Sequence, residues 1–257
     1  MLTHAAKLPR VEAIWNATHS HARWQSYYVS RDGSDRYSGY WGTVTDPDGR
    51  VRQRDTDAER LQYVEDIAEE LDFAASLPVG RSLDIGCGLG WFSQSLPTGW
   101  LRYGTDLCQD AAIKCSEAGI TMLPADLRSL PTAAFDLVIM HHVIEHMRDP
   151  CGAMSLIGQS AKMGAWLILG TPDFFSPCAQ RFGENYRLLH DETHVSLFSL
   201  ESMTRLLTDY GWTVKAIRFP FPERYATAET MERWRDTSKV SPPWPGNFMT
   251  FYAQRGG

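Results

Sequence analysis

Three glycines in one short segment have the type and spacing that point most directly to chemistry. Gly86, Gly88 and Gly90 follow the apolar run Leu83-Asp84-Ile85 and precede Trp91. Glycines at a strand-to-helix junction let the backbone approach a ligand closely, and the helix N-terminus offers unpaired N–H groups to an anion. The spacing is not the dinucleotide fingerprint G-x-G-x-x-G, because position 91 is tryptophan, and no Gly-Lys-Ser/Thr follows as in a Walker loop. The loop therefore predicts a site for a different kind of cofactor.

Two acidic residues come next, each at the end of a predicted strand. Asp106 lies about twenty residues after Gly86, the interval at which an acid can hydrogen-bond ribose hydroxyls in nucleotide-binding α/β folds. Asp126 ends the following strand, where a carboxylate could accept a hydrogen bond from the adenine amine. Either acid taken singly is also compatible with a helix cap.

Alternating apolar runs and helical stretches between residues 81 and about 170 predict the elements that position these groups. Strand, helix, strand in succession implies right-handed crossovers and a parallel sheet covered on both faces. A helix is predicted to begin with the capping box Thr56 and Glu59, and a later helix to begin at Ser199 and stop at Gly211. The apolar face of the first helix would carry Leu61, Val64, Ile67, Ala68 and Leu71. The predicted strands are 82–85, 101–105, 120–123, 137–140, 166–169, 212–219 and 248–253.

The segment from about 81 to 170 resembles the core of class I S-adenosylmethionine-dependent methyltransferases. Residues 135–150, FDLVIMHHVIEHMRDP, are similar to the pattern FDLV…HVLEHV.DP of the ubiquinone-biosynthesis-like small-molecule branch, and residues 194–199 resemble its H…FS entry to a late helix. The resemblance implies a doubly wound, Rossmann-like α/β domain. Its sheet would be mostly parallel and seven-stranded, with an antiparallel last strand and helices on both faces.

The resemblance also implies S-adenosylmethionine as the cofactor and assigns residues to it. In this family the glycine loop holds the methionine part, the second-strand acid holds the ribose and the third-strand acid contacts the adenine. The cofactor-binding residues implied in this sequence are Asp84, Gly86, Cys87, Gly88, Gly90, Asp106, Leu107, Asp126, Leu127 and His141.

Histidines that follow the fourth strand are the candidates for catalysis. Methyl transfer is an in-line displacement, so the enzyme aligns the acceptor and, for a hydroxyl, removes a proton. His142 is the predicted base because it follows a strand end, where the ligand crevice lies, and because imidazole titrates near neutral pH. His146 is a second candidate, although Glu145 and His146 could instead tie the loop to the next helix.

A second pair of histidines lies at His190 and His194. His190 is predicted to line the acceptor pocket as a third catalytic candidate. If this segment were helical, both rings would share one face and could bind a metal. No metal is predicted, because the spacing is not diagnostic and the resemblance requires none.

Composition limits the alternatives. The 257-residue chain is 43% apolar, which suffices for one large domain, and its net charge of −6 without a cationic run argues against nucleic acid as a partner. Its five cysteines are widely spaced and are expected to be free thiols. Neither a membrane span nor a secretory segment is predicted, so we expect a cytoplasmic monomer or homodimer.

Two regions lie outside the resemblance. Residues 1–55 form a predicted irregular, aromatic-rich arm, either a lid over the site or an apron of buried aromatics or a dimer contact. Residues 56–257 form the predicted methyltransferase domain, with an insertion at 221–245 between the last two strands that we expect near the substrate. The predicted reaction is O-methylation of a small molecule or sugar with His-assisted deprotonation. The alternatives are a non-methyl transfer from the same cofactor and a non-catalytic scaffold that binds it.

Overall fold

The computed structural model describes residues 13–14, 27–29, 40–46, 49–191 and 193–256. Its strands are β1 (Ala13–Ile14), β2 (Tyr27–Val29), β3 (Thr43–Thr45), β4 (Val51–Gln53), β5 (Arg81–Ile85), β6 (Leu101–Thr105), β7 (Thr121–Met122), β8 (Phe135–His141), β9 (Ala161–Pro172), β10 (Ser196–Leu197), β11 (Trp212–Arg218) and β12 (Phe248–Arg255). Its helices are α1 (Asp57–Asp66), α2 (Ala68–Ala75), α3 (Trp91–Ser95), α4 (Gln109–Glu117), α5 (Pro150–Ser160), α6 (Pro177–Phe182), α7 (Leu200–Asp209) and α8 (Ala228–Arg235).

Seven of these strands form the central sheet in the order β11-β12-β9-β8-β5-β6-β7. The strands from β5 to β9 pair in parallel, whereas β12 runs antiparallel to both β9 and β11. Within this sheet the chain enters at β5, continues outward through β6 to β7 and then returns to β8 on the other side of β5. The sheet therefore has a switch point between β5 and β8. Ligands bind beyond the carboxyl ends of the strands at such a point. The predicted doubly wound fold with an antiparallel last strand is confirmed.

Apolar residues run through the central strands because helices cover both faces of the sheet. Val138 and Met140 of β8 belong to the cluster that includes α5 and α7, while Leu137 and Ile139 face the cluster of α2 and α3. All four side chains are fully buried. This packing on both faces holds the end of β8 in a fixed position.

The first predicted helix is broken in two. Thr56 caps α1 by accepting from the backbone N–H of Glu59, but Ile67 leaves helical geometry and α2 begins one residue later. The expectation that Leu61 lies on the buried face is wrong, since it is 63% exposed. Ile67 of the predicted face is buried at the break, and Glu70 and Ala74 are the buried residues of α2.

The later helix α7 agrees with the sequence pattern. Ser199 accepts from the backbone N–H of Ser202 at 3.1 Å, and the residue that ends the turn, Gly211, has φ +79°. Its apolar face is fully buried and consists of Met203, Leu206 and Leu207.

The N-terminal region is more regular than the sequence suggests. β1 and β10 both pair antiparallel with β2, and β3 and β4 form a hairpin in which Gly49 donates to the carbonyl of Asp46 at 2.8 Å. The description of this region as irregular is therefore wrong for these strands. Trp15, Trp24 and Tyr37 of the predicted arm lie outside the described residues.

The insertion between β11 and β12 contains α8. The Trp234 ring stacks on Trp244 with 3.8 Å between centroids and packs against Phe182 of α6 at 5.6 Å. These contacts fix the insertion beside α6. Across the described ranges, no helix combines the length and the apolar character needed to cross a membrane.

Candidate active site

The glycine loop joins β5 to α3 at the switch point of the sheet. Gly86, Gly88 and Gly90 all have positive φ, at +64°, +53° and +74°. A Cβ on Gly86 would lie 2.7 Å from Val143, and one on Gly88 would overlap the Trp41 ring. Only glycine therefore allows the backbone to form this concave cradle.

A cavity of about 280 Å³ opens over this cradle. Many residues singled out from the sequence line it: Gly86, Cys87, Gly88, Asp106, Leu107, Leu127, His141, His142 and His146. Four others do not line it: Asp84, Gly90, Asp126 and His190. The tertiary structure thus collects residues from the ends of four parallel strands around one space.

Asp106 stands at the rim of this cavity, after the end of β6. Its carboxylate accepts from the backbone N–H of Gly88 at 2.8 Å and from that of Cys108 at 2.7 Å. The two bonds orient the carboxylate and leave further lone pairs for a ligand in the cavity. The neighbouring Leu107 is 72% exposed, an apolar side chain beside the cavity.

Asp84 lies behind the loop. It is buried, and the Ser93 hydroxyl of α3 donates to its carboxyl at 2.9 Å. Burial, together with the nearby charge of Asp106, raises the pKa of Asp84 to about 7, although the hydrogen bonds from Ser93 act in the opposite direction. Here the carboxyl ties β5 to α3.

Asp126 is turned away from the cavity. Its carboxylate is half-exposed, accepts from the guanidinium of Arg128 at 2.8 Å and caps the short helical turn Leu127–Ser129. Its neighbours Ala125 and Leu127 line the cavity instead. The segment therefore presents apolar side chains to the space where the sequence predicted a carboxylate.

Cys87 packs under the loop. Its sulfur lies 3.7 Å from that of Cys115 in α4, and both thiols are buried. All five cysteines are free, as predicted. Gly90 packs on the same side, where a Cβ would lie 2.8 Å from the Cys115 sulfur.

His141 ends β8 and lines both the cavity over the glycine loop and a second, adjoining cavity. Its Nδ1 lies 3.2 Å from the Tyr63 hydroxyl of α1, and its ring packs against Gly170, where a Cβ would lie 2.6 Å away. Burial lowers the pKa of His141 well below the usual value. The ring is therefore a neutral hydrogen-bonding group between the first cavity and its neighbour.

His142 follows with a strained backbone. Its φ is +58°, in the left-handed region that non-glycine residues rarely adopt, and its N–H donates to the Gly170 carbonyl at 2.9 Å. The ring packs edge-on against Phe248 at 4.9 Å between centroids, and Nδ1 lies 3.4 Å from the Glu145 carboxylate. Strain of this kind is concentrated at functional sites, where the surroundings impose it.

Glu145 is completely buried between this histidine and two others. Its Oε2 accepts from the Thr171 hydroxyl at 3.1 Å, while Oε1 has no hydrogen-bond partner in the described part of the chain. Burial opposes ionisation, but the contacts with His142, His146 and His194 lower the pKa of Glu145 to about 2. The carboxylate is therefore an anion that faces imidazoles.

His146 and His194 lie side by side near Glu145. Their ring centroids are 4.9 Å apart, and one nitrogen or oxygen from each of the three residues lies within 4.8 Å of the others. Nδ1 of His146 contacts the Thr193 carbonyl at 3.1 Å, and Nδ1 of His194 contacts the Leu188 carbonyl at 2.7 Å. Two imidazoles and a carboxylate with anchored rings are a donor set that could hold a divalent cation.

His190 is not part of this arrangement. The short helical turn Arg187–Leu189 ends before it, so His190 and His194 do not share a helix face. Its exposed ring contacts the Glu184 carbonyl at 3.1 Å and lines neither cavity. The partner of His194 is instead His146.

A second cavity of about 510 Å³ adjoins the first. The two share the residues Tyr40, Trp41, Tyr63, Trp91, His141 and His142. The far wall comes from the insertion and the start of β12, with Phe221, Trp244 and Phe248, and the floor includes Glu70. His142 thus faces both spaces.

Several residues of this second cavity were missed from the sequence. Tyr63 and Glu70 lie on helices α1 and α2, and Arg187 lies on a short turn far along the chain. Tyr63, Ile67, Glu70 and Ala74 recur at helical spacing, so polar residues among buried positions were the available signal. Arg187 gave no signal, because its position depends on the packing of distant segments.

Residues 57–217, more than half of the chain, match the methyltransferase domain family, and the chain belongs to that family. It is similar to the ubiquinone biosynthesis O-methyltransferase of Burkholderia vietnamiensis, with 31% identity over 111 residues that cover 39% of this chain and 48% of that protein. The corresponding protein of Cereibacter sphaeroides is 31% identical over 130 residues, which cover 44% of this chain and 51% of the relative. The chain thus spans about half the length of these curated relatives.

Solved structures share the fold. A SAM-dependent methyltransferase from Archaeoglobus fulgidus superposes with a TM-score of 0.56 at 18% identity, covering 76% of this chain and 94% of that one. A possible histamine N-methyltransferase from Thermotoga maritima gives 0.55 at 21% identity, covering 77% and 95%. With the family match, this fold makes the chain a class I S-adenosylmethionine-dependent methyltransferase, whose cofactor is S-adenosylmethionine. Gly86 and Gly88, whose positive φ forms the concave loop, line the cavity in which such a cofactor would bind.

Proposed function

We propose that the protein transfers the methyl group of S-adenosylmethionine to a hydroxyl of a small molecule or sugar, with His142 as the base. The observation that carries this proposal is the position of His142, which lines both the cavity over the glycine loop and the adjoining cavity. A base between cofactor and acceptor can take the proton from the attacking oxygen. The O-methyltransferase activity named for the two curated relatives supports an oxygen acceptor.

The cofactor half of the proposal uses the first cavity. Asp106 would bind the ribose hydroxyls, Gly86 and Gly88 would approach the methionine part, and Leu107 with Leu127 would enclose the adenine. Asp106 supports this role because its carboxylate is already oriented by two backbone N–H groups. Asp126 remains a predicted adenine contact only if its carboxylate leaves Arg128.

The acceptor half uses the second cavity. A hydroxyl that enters it would meet His142, whose ring is held by Phe248 and faces Glu145 through Nδ1 at 3.4 Å. When the imidazole takes a proton, the buried carboxylate stabilises the resulting cation, as an acid does behind a catalytic histidine. His146 would then support Glu145 from its other side.

Tyr40 and Trp41 support the lid hypothesis for the N-terminal region. Both line the two cavities, and Trp41 packs edge-on against Trp91 at 6.2 Å. In this position they would cover the reacting groups and exclude water.

A second candidate mechanism is metal-assisted transfer, which the cluster of Glu145, His146 and His194 favours. The buried Oε1 of Glu145 makes no hydrogen bond of good geometry within the described ranges and lies 3.4 Å from Nδ1 of His142, so a cation at the cluster would compete with this histidine for it. A divalent ion there would supply Lewis acidity toward an acceptor oxygen.

Removal of metal separates the two mechanisms. Activity that survives chelation supports His142 alone, whereas a loss of activity that a divalent ion restores supports the cluster. Direct titration of the chelated protein with Mg²⁺, Mn²⁺ and Zn²⁺, and of the Glu145→Gln variant, provides a readout independent of activity.

The proposed reaction is tested by incubating the protein with S-adenosylmethionine labelled in the methyl group and a panel of phenols, catechols and sugars. We expect label in an oxygen-linked methyl product. His142→Gln should lower turnover by about 10²- to 10⁴-fold while the affinity for S-adenosylhomocysteine stays the same. His190→Gln serves as the comparison, and we expect little change because its ring lies in neither cavity. Cofactor turnover with no label in the acceptor would contradict methyl transfer, and full activity of His142→Gln would contradict its role as base.

A further inference from the structure

We propose that the second cavity selects an acceptor that carries a carboxylate or a phosphate, and that Arg187 binds this anionic group. The inference rests on the proposed function, since it names the chemical class of the acceptor for the same site. It is carried by one guanidinium that lines the cavity and has no counter-ion in the described part of the chain.

The backbone around Arg187 is firmly held. Its N–H donates to the Ser241 hydroxyl at 3.0 Å, and the Ser241 N–H donates to the Asn185 carbonyl at 2.8 Å. The preceding Tyr186 is fully buried and donates through its hydroxyl to the carbonyl of Asp173 at 3.1 Å. The following Leu188 is buried as well. A cation on such an anchored turn is positioned before the ligand arrives, which reduces the entropy lost on binding.

The other arginines of this cavity are engaged. Arg52 pairs with Asp46 at 3.0 Å and with Glu59, and Arg54 donates to the Tyr40 carbonyl at 3.2 Å while stacking over the ring of the same residue. Arg50 also has interactions.

Arg187 differs from these arginines. Within the ranges that the structure describes, its side chain makes no ion pair, hydrogen bond or ring contact, although it is half-buried. A partly desolvated charge without a partner is unfavourable, so its presence in a cavity points to a ligand of opposite charge.

The acids of the cavity do not fill this role. Asp66 is bound by Arg224 through two bonds of 2.5 Å each, and Glu70 accepts from the Thr250 hydroxyl at 3.0 Å. Burial raises the pKa of Glu70, which reduces the negative charge that it brings to the cavity. Asp46 and Glu59 are paired with Arg52, so among the described residues no acid of this cavity neutralises Arg187.

The surroundings of Arg187 strengthen such a contact. Trp244 and Phe248 form an apolar wall of the same cavity, and a charge-assisted hydrogen bond is stronger where water is excluded. The planar guanidinium fork matches the paired oxygens of a carboxylate or phosphate. Because His142 lines the same cavity, one acceptor could place its anionic group on Arg187 and its hydroxyl at the base.

The test measures binding of three matched probes to the full chain saturated with S-adenosylhomocysteine. Benzoate carries a carboxylate, phenyl phosphate carries a phosphate, and benzyl alcohol is the neutral analogue. Isothermal titration should show at least one anionic probe binding about ten- to hundredfold tighter than benzyl alcohol, the range for a charge-assisted bond. The anionic probe that binds more tightly shows whether the site prefers a carboxylate or a phosphate.

Variants assign the preference to Arg187. Arg187→Gln should remove the preference without changing the affinity for benzyl alcohol or S-adenosylhomocysteine, and Arg187→Lys should retain part of it. The matched control is Arg205→Gln, which removes the same charge from an exposed pair with Glu201 on α7 and should leave all affinities unchanged. Melting curves of each variant establish that the fold is intact.

Failure of this inference is distinct from failure of the proposed function. If the protein binds S-adenosylhomocysteine but shows no preference for either anion, or if the preference survives in Arg187→Gln, the role of Arg187 is overturned. If S-adenosylhomocysteine itself does not bind, the proposed function fails first.

Discussion

Three aspartates in or after the parallel strands β5, β6 and β7 have three different environments. Asp84 is buried behind the glycine loop on Ser93, Asp106 is held by two backbone N–H groups at the cavity rim, and Asp126 is half-exposed on Arg128. All three lie near the carboxyl end of a parallel strand. Their chemistry differs because neighbouring side chains determine which carboxylate oxygens remain available.

The first prediction concerns the ribose contact. Asp106→Ala should weaken binding of S-adenosylmethionine by about 1–3 kcal/mol, the cost of losing a charged hydrogen-bond partner. Asp126→Ala should have a smaller effect, because its carboxylate is engaged by Arg128 outside the cavity. Calorimetric titration measures both, and an unchanged affinity in Asp106→Ala would remove the ribose assignment.

The second prediction concerns pH. The pKa of Asp84 is about 7 in the folded protein against 3.8 for an ordinary aspartate, so the folded state binds more protons between these values. The free energy of unfolding contributed by Asp84 therefore falls as the pH rises through this window. Asp84→Asn cannot ionise, so its stability relative to wild type should increase from pH 5 to pH 8.

Chemical denaturation without cofactor at both pH values measures this difference. Asp126→Asn is the control: hydrogen bonds from Arg128 lower the pKa of Asp126, so that carboxylate is ionised at both pH values and its variant should show no such change. An Asp84→Asn effect that is equal at pH 5 and pH 8 would be incompatible with the raised pKa.

The two cavities depend on helices and loops that are not part of the parallel sheet. Helices α1 and α2 contribute Tyr63 and Glu70, the insertion contributes Trp244, and the residues before β3 contribute Tyr40 and Trp41. These pieces line the second cavity, and Tyr40, Trp41 and Tyr63 also line the first, whose other walls are the strand ends and the glycine loop. If the acceptor binds in the second cavity as proposed, its selection would depend on these added elements.

Trp41 provides the prediction at this scale. If it is a lid, Trp41→Ala should speed the release of S-adenosylhomocysteine while the melting temperature changes little, because its ring covers a cavity. Stopped-flow fluorescence measures the release. Trp234→Ala is the matched control: its ring lines neither cavity and packs on Phe182 and Trp244, so the substitution should mainly lower the melting temperature. The reverse pattern would identify the aromatic residues as packing rather than a lid.

The order of strands in the whole sheet brings both cavities to the carboxyl end of the central parallel strands. β5 and β8 are neighbours although some fifty residues separate them, and the crossing between them opens the space into which the glycine loop and His141 project. A ligand that binds there contacts the folded state only, so binding stabilises the whole domain.

This linkage gives the fourth prediction. S-Adenosylmethionine or S-adenosylhomocysteine at about a hundred times its dissociation constant should add about 2.7 kcal/mol to the free energy of unfolding. Differential scanning calorimetry should show the matching rise in melting temperature, with none for NAD, since the loop lacks the dinucleotide spacing. Stabilisation by NAD alone would contradict the cofactor.

Local sequence patterns were sufficient to predict the central fold and the glycine loop over which the first cavity opens. Apolar runs indicate the strands, the spacing of three glycines indicates the loop, and an acid about twenty residues later indicates the end of the next strand. The cap at Ser199 and the burial of its helix were equally local. Features encoded within one turn or one strand can be read without knowledge of distant neighbours.

Only the tertiary structure decided which side chains share a space. It turned Asp126 toward Arg128, moved His190 out of the site, paired His194 with His146 and placed Arg187 in the second cavity. The physical reason is that each of these placements depends on contacts between segments far apart in the chain. No residue pattern within a single segment reports the orientation that such long-range packing imposes.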